Sequence, residues 1–259
     1  MSVATVLAGV LMVGFPAAPG GAPALESGTS VFGPQPVKMA TATCASGTRY
    51  AGGGMINYGM PAAGGVAITA IVPDEAGDSV TVIARAPAAR VGNWSVTAYV
   101  RCESSSTPDR VAAHGVGIAE AECDTGLAVF GLGYHLESGV VKEVTMDAAL
   151  HRVRVVAGDW ATEVTAIALC RPPAAEMRRV ETSVASSTWP IVASGSPQDP
   201  DVSVYPVGNR VSGPASATLD AIVPGDPTWA RGTLLSSPLA FDEGGGSVTV
   251  EAGLAGTFH

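Results

Sequence analysis

One short motif is stated three times along this chain, and that periodicity constrains the fold more than any other feature. Cys44-Ala45-Ser46-Gly47 is followed by Gly52-Gly53-Gly54, and Cys123-Asp124-Thr125-Gly126 by Gly131 and Gly133. Tyr205-Pro206-Val207-Gly208 is followed by Gly213, with the cysteine replaced. The start-to-start spacings are 79 and 82 residues. The downstream halves match too: Thr69-Ala70-Ile71-Val72-Pro73 parallels Asp220-Ala221-Ile222-Val223-Pro224. Pro87 and Pro238 each follow 14 residues later, and Trp94 to Tyr99 aligns with Gly246 to Glu251. Trp94 precedes Cys102 as Trp160 precedes Cys170. Self-similarity at a fixed period makes each copy one supersecondary unit that buries its apolar face against its neighbours.

The units read as β-structure. Gly and Pro together supply 51 of 259 residues and only 14% are charged, which favours many short strands and turns over long helices. Lys38 to Cys44, Val66 to Ile71, Ser79 to Arg85, Trp94 to Val100, Val140 to Met146, Arg152 to Val156 and Thr162 to Leu169 are β-branched or alternating, as strands are. Ala112 to Glu122 reads as the entry strand of copy two, with a helix as the alternative because of its alanines. The paired glycines of Gly-x-x-x-x-Gly suit turns or bulges of positive φ around a short strand. A phosphate cradle would need a helix start with Lys and Ser/Thr, and neither follows Gly54 or Gly133. The expected layout is a signal peptide over 1–24, a flexible lead-in over 25–37, and β repeat 1 over 38–102. Repeat 2 follows over 110–170, a connector with a short helical turn near Pro172 to Arg179 over 171–200, and repeat 3, lacking cysteines, over 201–254.

The first residues point to export. Val3 to Phe15 is an apolar run, and Ala22-Pro23-Ala24 offers a small-x-small cleavage site. Thirteen apolar residues are too few for a stable membrane span. No Lys or Arg precedes the run, so a misplaced start or missing first residues are expected. The cysteines agree with an extracellular location. Four allow three connectivities, and the repeat selects Cys44–Cys102 with Cys123–Cys170. A zinc site would need closely spaced ligand pairs, and the chain has neither Cys-x-x-Cys nor His-x-x-x-His.

No catalytic signature stands out. The net charge of −9 argues against nucleic acid as a partner. Gly-x-Ser-x-Gly is absent, and pairing of all four cysteines leaves none as a nucleophile. His114, His135, His151 and His259 have no mutual spacing of a metal site or triad and read as solvent-facing residues. Asp74, Glu75, Asp78, Asp242 and Glu243 fall in turns without the calcium-loop spacing. Trp94 and Trp160, at one repeat position, are expected in the core rather than as a stacking platform, which leaves Trp189 as the candidate exposed aromatic. Asn93-Trp94-Ser95 fits a glycosylation sequon. No cofactor or metal is expected.

The Cys-x-x-Gly opening, the Gly-Gly-Gly run, the Ile-Val-Pro turn and Asn93-Trp94-Ser95-Val96-Thr97-Ala98-Tyr99-Val100 before Cys102 resemble a repeat of secreted actinobacterial proteins. More loosely, three such units in an exported chain are similar to the vitelline membrane outer layer protein I family. That resemblance implies an all-β, three-sheet β-prism with pseudo-threefold arrangement, and through it a sugar-binding role. The expected function is therefore a secreted, non-catalytic binding or surface-structural protein, with polysaccharide or cell-wall glycan as partner. The alternative is a secreted carbohydrate-active hydrolase or transferase using carboxylates from different repeats.

Overall fold

The computed structural model describes residues 24–45, 48–59, 66–86, 92–103, 107–173, 177–186, 203–212, 218–219, 221–222, 238–239 and 248–257. All of its regular structure is β. The strands are β1 (Ala24–Thr29), β2 (Val37–Thr43), β3 (Thr48–Tyr58), β4 (Ala67–Pro73), β5 (Ser79–Arg85) and β6 (Trp94–Glu103). Next come β7 (Asp109–Val116), β8 (Ile118–Glu122), β9 (Ala128–Leu136), β10 (Val141–Met146), β11 (Arg152–Ala157) and β12 (Glu163–Arg171). The last are β13 (Met177–Ser186), β14 (Ser203–Ser212), β15 (Thr218–Leu219), β16 (Ala221–Ile222), β17 (Pro238–Leu239) and β18 (Val248–Thr257).

Three antiparallel sheets carry these strands, in the orders β1-β6-β3-β16, β13-β18-β14-β10-β11-β8 and β2-β5-β4-β9-β12-β7, with β15-β17 as a separate pair. The pairing has a rule. Strands one, six and three of the first two runs lie side by side, as β1-β6-β3 and β7-β12-β9, and in the third run the last described strand lies between the first two, as β13-β18-β14. Strands two, five and four form the other half, as β2-β5-β4 and β8-β11-β10. Each large sheet then joins halves from two runs. β4 of the first pairs β9 of the second, β10 of the second pairs β14 of the third, and β16 of the third returns to β3 of the first.

Alternation along the strands builds the core. β2 and β5 bury every second residue, so Ala40, Ala42, Val80, Val82 and Ala84 face inward. Val96, Ala98 and Val100 of β6, Leu132, Tyr134 and Leu136 of β9, and Val164, Ala166 and Ala168 of β12 meet them. The Tyr134 hydroxyl donates to the Ile68 carbonyl at 3.2 Å, and complete burial raises the pKa of this phenol. Ile222 is buried in the same cluster, so the return of β16 to β3 is sealed by packing as well as hydrogen bonds.

Both disulfides form as the repeat required. Cys44 bonds Cys102 across a separation of 58 residues, and Cys123 bonds Cys170 across 47. Their surroundings are equivalent: the Cys44 N–H donates to the Asp78 carbonyl at 2.8 Å, and the Cys123 N–H to His151 at 2.9 Å. The intervening hairpins match as well. Asp74 Oδ1 accepts from the N–H groups of Asp78 and Ser79, and Asp147 Oδ1 from those of His151 and Arg152. Gly77 and Leu150 hold the corresponding left-handed position, at φ 82° and 58°. These acidic residues are turn formers, as their spacing suggested.

Several sequence expectations need correction. The lead-in over 25–37 begins with a strand: β1 pairs with β6 from Ala24↔Cys102 to Thr29↔Thr97. The connector over 171–200 holds β13, which pairs along β18 from Met177↔Thr257 to Ser186↔Val248, so Met177 to Arg179 are strand rather than a helical turn. Both are first strands of their runs, the counterpart of β7. Ala112 to Glu122 is neither one strand nor a helix. It is β7 and β8, broken at Gly117 with φ 74°.

The glycine run lies within β3 rather than at a turn. A Cβ on Gly52 or Gly54 would sit 2.5 Å from a methyl of Val80 or Val82, so the bare backbone lets β3 pack directly over β5. Gly126, at φ 88°, is a turn glycine as expected. The expected bulge is there, and it recurs three times. Tyr50, Phe130 and Val207 are each an extra residue opposite the β6, β12 and β18 backbones, between Arg101/Cys102, Leu169/Cys170 and Gly253/Leu254. Leu254 thus takes the place of the closing cysteine. Gly208 falls one residue after the bulge, beside Ala51 and Gly131, so the match of Tyr205–Gly208 to Cys44–Gly47 is four residues out of register and its match to Cys123–Gly126 is five.

Candidate functional site

Counting from the bulge aligns one cross-strand row in all three runs. In the first, Thr97 lies between Met55 and Thr29. In the second, Thr165 lies between His135 and His114. In the third, Thr249 lies between Ser212 and Ala185. A threonine on the central strand is common to all, and its neighbours differ. The next pair along is Asn57 with Ser95 in the first run and Glu137 beside Glu163 in the second, where the Glu137 N–H donates to the Glu163 carbonyl.

In the first run the row is a closed neutral network. Asn57 Nδ2 donates to Thr97 Oγ1 at 2.9 Å and to Ser95 Oγ at 3.3 Å, and Thr29 and Thr97 share a hydroxyl hydrogen bond at 2.9 Å. In the second run it is an open groove of about 510 Å³ on the face of β9, β12 and β7 that is turned away from Tyr134 and Leu136. His114, His135, Glu137, Glu163 and Thr165 line it, with Val116 at one end. Thr165 Oγ1 and His114 Nδ1 are 3.0 Å apart. Neither Glu137 nor Glu163 has an ion-pair partner among the described residues.

Trp160 is not part of the groove lining, but it touches Gly117, the residue that follows Val116. Its ring packs on Gly117, where a Cβ would come within 2.8 Å of Cε3, and Gly117 N–H donates to the Thr162 carbonyl at 2.8 Å. Asp159 Oδ1 accepts from the Ala161 N–H at 2.9 Å and holds the turn that presents the indole. Trp160 is 66% exposed and Val116 64%. The expectation of a core Trp160 is therefore overturned. Counted back from the closing cysteine, the counterpart of Trp94 is the buried Thr162, and Trp160 stands two residues earlier, in the turn. Trp94 is in the core, 1% exposed, with Lys38 Nζ 5.3 Å from its ring centre.

Other singled-out residues lie apart. His151 is exposed beside the Asp147 turn, and His259, Trp189, Trp229, Asp242 and Glu243 fall outside the described residues, as do 1–23 with the expected export signal. Glu120, Glu122, Glu143, Arg152 and Arg154 form a ladder of ion pairs on β8, β11 and β10, including an Arg152–Glu120 pair at 3.0 Å. Among the described residues no group of three His, Cys, Asp or Glu is placed to hold a metal ion. No helix among them is long and apolar enough to cross a membrane. No family model matches the chain, and no curated protein matches it.

Proposed function

We propose that this is a secreted, non-catalytic glycan-binding protein whose ligand lies in the β9–β12–β7 groove with a sugar face on Trp160. The observation that carries the reading is an exposed indole and valine beside a groove lined by hydrogen-bonding side chains on a disulfide-tied sheet. Stacking of a pyranose on an aromatic face and polar contacts along its edge are the usual division of labour in such sites. The comparison between runs adds support. Met55, Thr29, Asn57 and Ser95 occupy the same register without titratable groups, so the strand geometry does not require His135, His114, Glu137 and Glu163.

The apolar run from Val3 to Phe15, the Ala22-Pro23-Ala24 site and the two disulfides support secretion. The return of β16 to β3 supports a closed, pseudo-threefold, β-prism-like arrangement of the kind the vitelline membrane outer layer family suggests. A hydrolase is the second reading, because Glu137 and Glu163 share the groove. Both come from one run, rather than from different repeats.

The test is retention of the chain from Ala24 to His259, which keeps all of β1, on peptidoglycan, chitin, chitosan and cellulose. Saturable retention released by the matching oligosaccharide, without new reducing ends, is expected. Release of reducing sugar would favour the hydrolase, and no retention on any matrix would remove the binding reading.

A further inference from the structure

We infer that the groove selects a glycan carrying free amino groups, over its N-acetylated or hydroxylated counterpart. This rests on the glycan-binding reading above and goes one step further, to the charge of the ligand. Glu137, just past the end of β9, and Glu163, at the start of β12, both line the groove, exposed and without a basic partner among the described residues. Among the described residues, no Lys or Arg lines the groove. The acidic ladder on the other six-stranded sheet shows what this fold does when a carboxylate serves it: Glu120, Glu122 and Glu143 are each set against Arg152 or Arg154.

The first run supplies an internal control. Asn57 and Ser95, at the register of Glu137 and Glu163, complete a hydrogen-bonded network with no charge. Two uncompensated like charges side by side weaken the free sheet, since like charges on facing strand positions repel. A ligand ammonium removes that repulsion on binding. An acidic glycan would add to it, and the net charge of −9 opposes polyanions at longer range. His114 and Thr165 supply hydrogen-bonding groups for hydroxyls, and Trp160 offers an aromatic face that attracts both the C–H face of a pyranose and an adjacent cation.

The experiment is calorimetric titration of the chain from Ala24 to His259 with three hexasaccharides of one backbone geometry: β-1,4-linked glucosamine, N-acetylglucosamine and glucose. The amino form is expected to bind about tenfold tighter than either neutral form, and to lose affinity as salt is raised. Glu137→Gln and Glu163→Gln should each weaken the amino form roughly three- to fivefold and narrow its preference over the neutral forms. Equal affinity for the three sugars, unaffected by either substitution, overturns the charge preference while leaving glycan binding in place. Failure of all three sugars to bind overturns both. Oligolysine binding as tightly as the amino sugar overturns the glycan in favour of polycations. A thermal melt of each variant at or slightly above the parent's secures the comparison, because both carboxylates are exposed and each substitution relieves their repulsion.

Discussion

Replacing Cys123 and Cys170 together by alanine is expected to destabilise the protein by about 4 kcal/mol, the chain-entropy cost of reopening a loop of this length. The bridge joins the β8–β9 junction to the end of β12 and so ties together strands of two different sheets. It also anchors the Cys123 N–H to the His151 carbonyl, so its loss frees the hairpin beside it. Urea unfolding of the double variant should show a lower midpoint with a slope equal to or steeper than the parent's, because the unbridged unfolded chain exposes more surface. A loss under about 1 kcal/mol would mean that the unfolded chain is not the state the bridge restrains. The Cys44–Cys102 pair should behave alike, because its place in the first run is the same.

Trp94→Ala is expected to cost about 3–5 kcal/mol, the range for emptying a buried aromatic site. The side chain is 1% exposed where β6 begins, and its backbone bridges to Gly33 in both directions. Lys38 lies over the ring, with Nζ donating to the Val31 carbonyl and to Gln35 Oε1, so the indole supports the loop that leads from β1 to β2. Trp94 Nε1 is buried without a hydrogen-bond partner. Trp94→Phe therefore forfeits volume but no hydrogen bond, and should cost only on the order of 1–2 kcal/mol. Equal losses for Ala and Phe in chemical unfolding would show that the indole nitrogen matters after all.

Much of the architecture was legible in the chain because its central strands alternate cleanly. β5 has the same limits in the sequence reading and in the fold, and β2 differs by one residue at each end. The first strands of the outer runs were missed for a physical reason. Ala24–Thr29 and Met177–Ser186 are edge strands rich in polar residues, and they carry little of the apolar alternation that marks a strand. Gly-rich β3 was misread because glycine signals turns by default, while Gly52 and Gly54 serve close packing against Val80 and Val82. The third copy slipped in register because Val-Gly resembles the end of Cys-x-x-Gly, whereas the bulge, not the cysteine, is the feature all three share.

The groove was hidden in a different way. His114 and His135 belong to strands that never pair with each other, and β12, which arrives later in the chain, brings them to either side of Thr165. One signal was present. Aligning the copies on the residue after the bulge sets Met55 against His135 and Asn57 against Glu137, so titratable residues collect in the second copy. Trp160 looked like a repeat of Trp94 until strand pairing placed it in the preceding turn.

The most direct test of the groove as the ligand site is an NMR titration of the protein with the glucosamine hexasaccharide, read at its histidine rings and tryptophan indoles. The His114, His135 and Trp160 signals are expected to shift saturably along one common isotherm, while the buried Trp94 indole stays fixed. Unmoved His114, His135 and Trp160 signals, with or without shifts elsewhere, would contradict the assignment of the groove.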